Sequence, residues 1–325
     1  MRGFSAKKWL RNGHLMTVFA WGRPRRFPDL LPPEERLFQV TGDTQVLAHC
    51  FWQRERARQP VLLALHGLEG SSTAHYMRGL AAKGYRAGFS VLLLNQRNCG
   101  GTEHLGPGLY HSGLTDDADH VIREIAERDG VERVVVAGYS LGGNLALKLA
   151  GDYGDAPVSQ LRAVCAVSPV MELSRCVHAL ERRQNFIYQW NFTRGLRARM
   201  RRKERCQPGC FDLAPLSSIR TVREFDDRYT APYFGFRDAE DYYHRASAMR
   251  VIHRIRIPTL IITAEDDPFV PSDTFRDPAV TENPNIELVI TPHGGHCAFV
   301  AEASDGADGY WAEDRIIEFS ARWAG

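Results

Sequence analysis

Apolar residues fall along this chain in short, nearly unbroken runs: VLLALHG (61–67), FSVLLLNQR (89–97), RVVVAGYS (133–140), LRAVCAVSP (161–169), IPTLIITAE (257–265) and NIELVITPHG (285–294). Strands buried on both faces read this way, because neither side of the strand meets water. Between the runs lie SSTAHYMRGLAAKGY, LTDDADHVIREIAERDG and SLGGNLALKLAGDYG, where apolar residues recur at helical spacing. Strand and helix in alternation predict an α/β fold, a mostly parallel sheet with helices on both faces. Ahead of it, RLFQV-TGD-TQVLAHCFWQ (36–53) places two β-rich runs around Gly-Asp, which predicts a hairpin.

The rhythm breaks once. From Met171 to Ala248 the chain is aromatic, arginine-rich and helical in character, with no buried-strand run. This stretch is expected to be a helical cap inserted between two strands. Residues 1–170 and 249–325 would then be two parts of one core. The closing DGYWAEDRIIEFSARWAG has the spacing of a last amphipathic helix.

Composition narrows the function classes. The chain has 325 residues, 44% hydrophobic and 25% charged, with 41 basic against 39 acidic side chains. That balance gives no global pull toward nucleic acid. The opening MRGFSAKKWLRNGHLMTVFAWG holds no uninterrupted apolar core, so no secretory signal is expected. No stretch has the length and apolarity of a transmembrane helix. Seven scattered cysteines suit reduced thiols and a cytoplasmic location better than a disulfide framework. Cys206 and Cys210 have no second pair to complete a zinc site.

GYSLG (138–142) follows the strand RVVVA directly and leads into the small-residue helical run GNLALKLAG. This is Gly-x-Ser-x-Gly in the strand–turn–helix context that gives the motif meaning. The turn forces Ser140 into a strained conformation with backbone close by, so a Cβ at Gly138 or Gly142 would clash. A serine hydroxyl is a weak nucleophile at neutral pH; it needs a base, and the base needs an orienting acid. Such sites run Ser, then Asp or Glu, then His, each after a strand. Here EDDPFVP (265–271) follows one strand and PHGGHC (292–297) the next. Parallel strands bring these loops to the edge of the sheet that carries Ser140. The developing oxyanion needs two amide donors. Leu68, in LALHGLEG (64–70), and Leu141 are the candidates. His66 is expected to shape that loop. HSGLTD (111–116) also fits a His-x4-Asp acyltransferase pattern, but Asp116 reads as a helix-start residue.

The stretches NGHLMT (12–17), LHGLEGSS (65–72), NQRNCGG (95–101), LYHSGLTDD (109–117), GYSLGGN (138–144), YYHRASA (242–248), AEDDPFV (264–270) and HGGHCAF (293–299) span nearly the whole chain. Together they resemble the α/β-hydrolase superfamily, and within it the YheT-like esterase branch, related to eukaryotic abhydrolase-domain lipid hydrolases. The resemblance implies the α/β-hydrolase fold and a Ser–Asp–His hydrolase acting on acyl esters or lipids. In that superfamily the catalytic histidine follows a glycine, which matches His296 in GGH; His293 is then a structural or rim residue. For the acid, D-x-x-V-P from Asp267 to Pro271 puts Asp267 at the turn, with Asp266 capping it. The expected machine is Ser140, Asp267 and His296, with Leu68 and Leu141 as oxyanion donors. It calls for no metal and no organic cofactor. A thioesterase or transacylase would use the same residues, and a ligand-binding protein of this fold would be expected to lose one.

Within the cap, residues 181–205 carry nine Arg or Lys against two Glu, interleaved with Phe186, Ile187, Trp190, Phe192 and Leu196. The bland expectation is a solvated helix whose apolar side packs on the core. The sharper one is a lid whose basic run RARMRRKER meets an anionic membrane surface, weakly, or a substrate head group.

Overall fold

The structure is a computed structural model that describes residues 3–302 and 308–324. Eight strands form one sheet: β1 (Glu34–Thr41), β2 (Thr44–Phe51), β3 (Val61–Leu65), β4 (Ser90–Leu94), β5 (Val134–Tyr139), β6 (Leu161–Val167), β7 (Thr259–Ala264) and β8 (Ile286–Thr291). Their spatial order is β1-β2-β4-β3-β5-β6-β7-β8. β2 runs antiparallel to β1 and β4. The six remaining strands are mutually parallel, as their unbroken apolar runs predict. The Gly42–Asp43 turn joins β1 to β2 as the expected hairpin.

The period of two along each strand sends alternate residues to opposite faces. Val61, Leu63, Leu65, Val134 and Val136 enter one core cluster. Leu62, Ala64, Val135 and Ala137 enter the other. On the first face lie α3 (Asp116–Asp129) and α4 (Leu141–Tyr153); on the second lie α2 (His75–Arg86) and the closing helix, here α8 (Trp311–Ala324). Asp116 does open α3, whose first turn also holds Asp117 and Asp119, where carboxylates favour the positive end of the helix dipole. Gly130, at φ 68°, ends it.

Between β6 and β7 the chain forms helices and turns only, including α5 (Leu173–Leu180), α6 (Phe186–Cys206) and α7 (Ala239–Ala246). Ahead of the alternation lies α1 (Gly13–Gly22), capped by the Asn12 side chain, which accepts the Leu15 N–H. Among the described residues no helix is long and apolar enough to cross a membrane.

Candidate active site

β5 ends at Tyr139 and α4 begins at Leu141, so a single residue turns the chain. That residue, Ser140, has φ 56° and ψ −114°, a region that side-chain-bearing residues enter only under constraint. The constraint is packing. A Cβ on Gly142 would run into the Leu65 and His66 carbonyls, and one on Gly138 into the Gly142 carbonyl. The Ser140 N–H donates to Val167 (2.9 Å), and the Ser140 carbonyl accepts from Asn144 (3.0 Å). Other non-glycine residues at positive φ, among those described, are Glu69, Asn98, Ser168, Cys297 and Phe299. They sit in loops that leave β3, β4, β6 and β8 at the same edge, so backbone strain gathers around the serine.

His296 Nε2 is 2.9 Å from Ser140 Oγ, and His296 Nδ1 is 2.9 Å from Asp267 Oδ2. The Asp267 carboxylate is fully buried. Its other oxygen accepts the Phe269 and Val270 N–H groups at 3.1 and 3.0 Å, which fixes the carboxylate's orientation toward the imidazole. With Nδ1–H donating to Asp267, Nε2 is left as an acceptor for the serine hydroxyl. Burial lowers the His296 pKa, but the Cys297 and Asp267 side chains outweigh it, and the net shift is upward from 6.5.

Asp266 and His293 form a separate pair, with Nδ1 to Oδ2 at 3.3 Å. Asp266 Oδ1 accepts the Gly295 N–H (2.9 Å), so this carboxylate braces the loop that carries His296. Each histidine of the GGH region therefore has its own carboxylate. A two-histidine metal site is not what their side chains form.

The stretch NGHLMT helps to position the site. Thr17 Oγ1, in α1, accepts the His296 N–H at 2.8 Å and donates to the Gly13 carbonyl at 2.6 Å. Gly13 packs so closely on Asp266 that a Cβ would overlap the Asp266 carbonyl. Helix α1 thus clamps the acid and histidine loops together. A glycine and a hydroxyl four residues apart on one helix face were the only local signal.

The loop after β3 lies against the serine, a Cβ on Gly67 falling 3.2 Å from Ser140 Cβ. Tyr76 OH accepts the Gly67 N–H (3.1 Å), and Tyr110 OH accepts the Glu69 N–H (3.3 Å). Between them the Leu68 amide has no acceptor among the described residues, and neither has the Leu141 amide at the start of α4. His66 is fully buried. Its Nε2 accepts the Gln96 N–H (3.1 Å), which leaves Nδ1–H to donate to Gly67 O (2.8 Å). Burial pushes its pKa down to about 4, so it shapes the loop as a neutral side chain. His111 packs against Phe234, Phe236 and Tyr242. Burial, then Lys148, Arg97 and Arg245, hold its pKa down to about 3.

A cavity of about 710 Å³, including its open mouth, borders Ser140. Val170, Leu173, Val177, Leu180, Phe192 and Leu196 give it apolar walls. Arg199 and Asp226 add a polar patch. Burial raises the Asp226 pKa to about 6 against the pull of its Thr230 and Tyr243 hydrogen bonds.

The expectations for α6 need correcting on two counts. RARMRRKER is not a free basic face. Arg199 is buried against Glu69 at 2.6 Å. Lys203 is buried and donates to the carbonyls of Glu103 and Gly106, while Arg202 pairs with Glu103 at 2.5 Å. Nor does the whole apolar side pack inward. Phe192 and Leu196 do, whereas Phe186, Ile187 and Trp190 are exposed. Arg199 and Lys203 are buried while Arg201 and Arg205 face solvent, and at the start of the helix Phe186, Ile187 and Trp190 stand exposed.

The sheet order, the strained serine turn and the Ser–His–Asp contact define a hydrolase architecture. Residues 60–303 match the profile of the alpha/beta hydrolase fold family, and the chain belongs to that family. It is similar to YheT of Escherichia coli (strain K12), a candidate esterase, at 37% identity across 98% of this chain and 91% of that protein. It is also similar to phospholipase ABHD3 of Mus musculus, 30% identical across 76% of this chain and 60% of that longer protein. Among solved structures, an esterase of Pyrococcus furiosus superposes with a TM-score of 0.62 over 93% of this chain and 98% of its own, at 16% identity. That last likeness speaks for the fold alone.

Proposed function

We propose that this protein hydrolyses carboxylic acyl esters through a covalent acyl-enzyme on Ser140. The observation that carries the reading is His296 placed 2.9 Å from both Ser140 Oγ and Asp267 Oδ2. His296 Nε2 takes the serine proton as Oγ attacks the ester carbonyl, and Asp267 stabilises the resulting imidazolium. The Leu68 and Leu141 amides donate to the oxyanion. Collapse of the tetrahedral intermediate breaks the bond to the alcohol, which leaves with the proton from His296. Water, deprotonated by the same nitrogen, then releases the acid and frees Ser140. The helices of 171–248 serve as a cap, and the apolar walls they lend the cavity suit an acyl chain. Relatives named as an esterase and a phospholipase agree with an ester or lipid substrate.

Labelling with a fluorophosphonate, followed by mapping of the modified residue, tests the nucleophile. A series of p-nitrophenyl esters of increasing acyl length tests the pocket. Modification at Ser140 with turnover of the esters supports the reading. An unlabelled Ser140, or labelling without turnover of any ester, removes it.

A further inference from the structure

Two groups of large apolar side chains stand in solvent. On α1 they are Leu15, Val18 and Trp21, the last 70% exposed. On the first turns of α6 they are Phe186, Ile187 and Trp190, the first two 65% and 60% exposed. Positions 15, 18 and 21 are three apart, and 186 and 190 four apart, so each group lies along one side of its helix.

The two groups adjoin. His14 of α1 stacks on Tyr188 of α6, with centroids 5.7 Å apart and planes 16° from parallel. Its Nδ1 is 3.3 Å from the tyrosine hydroxyl. Tyr188 then packs on Phe269 (5.3 Å), and Phe269 on His296 (4.1 Å). Phe269 also lines the cavity. The exposed apolar face is therefore linked to the reaction site by successive ring contacts.

Charge along the two segments themselves is one-sided. No Asp or Glu occurs from residue 3 to 28 or from 182 to 203. Lys8, Arg11, Arg23, Arg26, Arg182, Arg183 and Arg194 are exposed there. None of them forms an ion pair with a described residue. Arg23 lies over Phe19 and Arg194 over Trp190. Tryptophan and aliphatic side chains edged by unpaired cations suit a boundary where hydrocarbon meets anionic headgroups.

We propose that the joined faces of α1 and the start of α6 dock on a lipid surface bearing anionic headgroups. Docking sets the cavity against the source of its substrate. The proposal deepens the esterase reading by making the substrate an aggregated lipid ester, and only that step rests on it. The site differs from the basic run expected from sequence, since Arg199 and Lys203 of that run are buried.

Binding is measured without turnover, with the Ser140→Ala chain and sedimenting vesicles of phosphatidylcholine alone or mixed with phosphatidylglycerol. The parent should pellet with mixed vesicles and less with neutral ones, the difference shrinking at high salt as charges are screened. Ile187→Ser/Trp190→Ser and Val18→Ser/Trp21→Ser should each weaken binding at least about tenfold, since each removes two large apolar groups. Arg201→Gln/Arg205→Gln, at the far end of α6, should leave it within about twofold. With Ser140 restored, the apolar variants should hydrolyse a short soluble ester like the parent, which shows that they fold. Failure of the parent to pellet, or equal pelleting of apolar variants and parent, overturns the proposal. Concentration-dependent dimerisation abolished by the same substitutions also overturns it, because a second copy would then be the occupant. Labelling of Ser140 is unaffected by these outcomes, so the two readings fail separately.

Discussion

Arg199, in the middle of α6, reaches Glu69 Oε1 at 2.6 Å, and the two side chains are only 4% and 15% exposed. Arg199 also covers the Tyr110 ring (4.6 Å), whose hydroxyl accepts the Glu69 N–H. Glu69 holds φ 57° and follows Leu68, so this ion pair ties the helix between β6 and β7 to the candidate oxyanion loop. Removing one partner strands a buried charge, at about 3–5 kcal/mol, whereas replacing both is far milder. Arg199→Met should lower the urea midpoint strongly. Arg199→Met/Glu69→Gln should recover much of the loss. Additive single and double changes in a mutant cycle would mean that the pair is not coupled.

Loss of either proton-transfer partner should disable the site while sparing the fold. Ser140→Ala and His296→Ala are each expected to lower kcat by roughly 10⁴–10⁶, and the double mutant scarcely further, because the residues act as one unit. His293→Ala should remain far more active than His296→Ala, since His293 faces Asp266 and not the serine. The reverse order would move the base to His293.

The adjacent acids should separate in the same way. Asp267→Asn puts an amide beside His296 Nδ1 and favours the wrong tautomer, at a cost on the order of 10⁴ in kcat. Asp266→Asn retains an acceptor for the Gly295 N–H and should stay within about tenfold of wild type. Steady-state kinetics on one soluble ester ranks the two. A larger loss at 266 would exchange their roles.

Apolar runs and the glycine-flanked serine were legible in the sequence because burial on both faces and the tight turn leave few residue choices. EDD and HGGH presented three acids and two histidines; the D-x-x-V-P register and the resemblance picked out Asp267 and His296, but not the second pairing of Asp266 with His293. That depends on how the loops leave β7 and β8, and on α1, which arrives from more than 240 residues away in sequence. Long cationic side chains hid the rest. Arg199 and Lys203 look solvated in sequence, yet their partners Glu69, Glu103 and Gly106 lie about 100 residues or more upstream. Conversely, Phe186, Ile187 and Trp190 look like core and are not.

The pH profile follows from His296. Burial lowers its pKa and Cys297 and Asp267 raise it, with the upward pull dominant. Catalysis needs the neutral imidazole, so kcat/KM for an uncharged ester should climb as pH rises, with its acid limb centred above 6.5. In the residual activity of Asp267→Asn that limb should move to lower pH, since one source of the raised basicity is gone. His66 and His111, held near 4 and 3 by burial, contribute nothing to a limb in that range. An acid limb that stays in place in Asp267→Asn would detach the titration from the His296–Asp267 pair.

Thr17 should behave as a positioning residue. Its hydroxyl accepts the His296 N–H and donates to Gly13, fixing the backbone from which the imidazole projects. Thr17→Val keeps the shape and removes the acceptor, leaving a partly buried N–H unsatisfied at about 1–3 kcal/mol. A small displacement of a reacting group can cost up to about 10²-fold in rate, so kcat should fall by about 10–10² with KM little changed. Thr17→Ser keeps the oxygen and should restore most of kcat. A merely structural role would lower stability in Thr17→Val but leave kcat per folded molecule intact. Titrating active sites with a fluorophosphonate before measuring kcat separates the two cases, and an unchanged kcat per titrated site would reduce Thr17 to a packing residue.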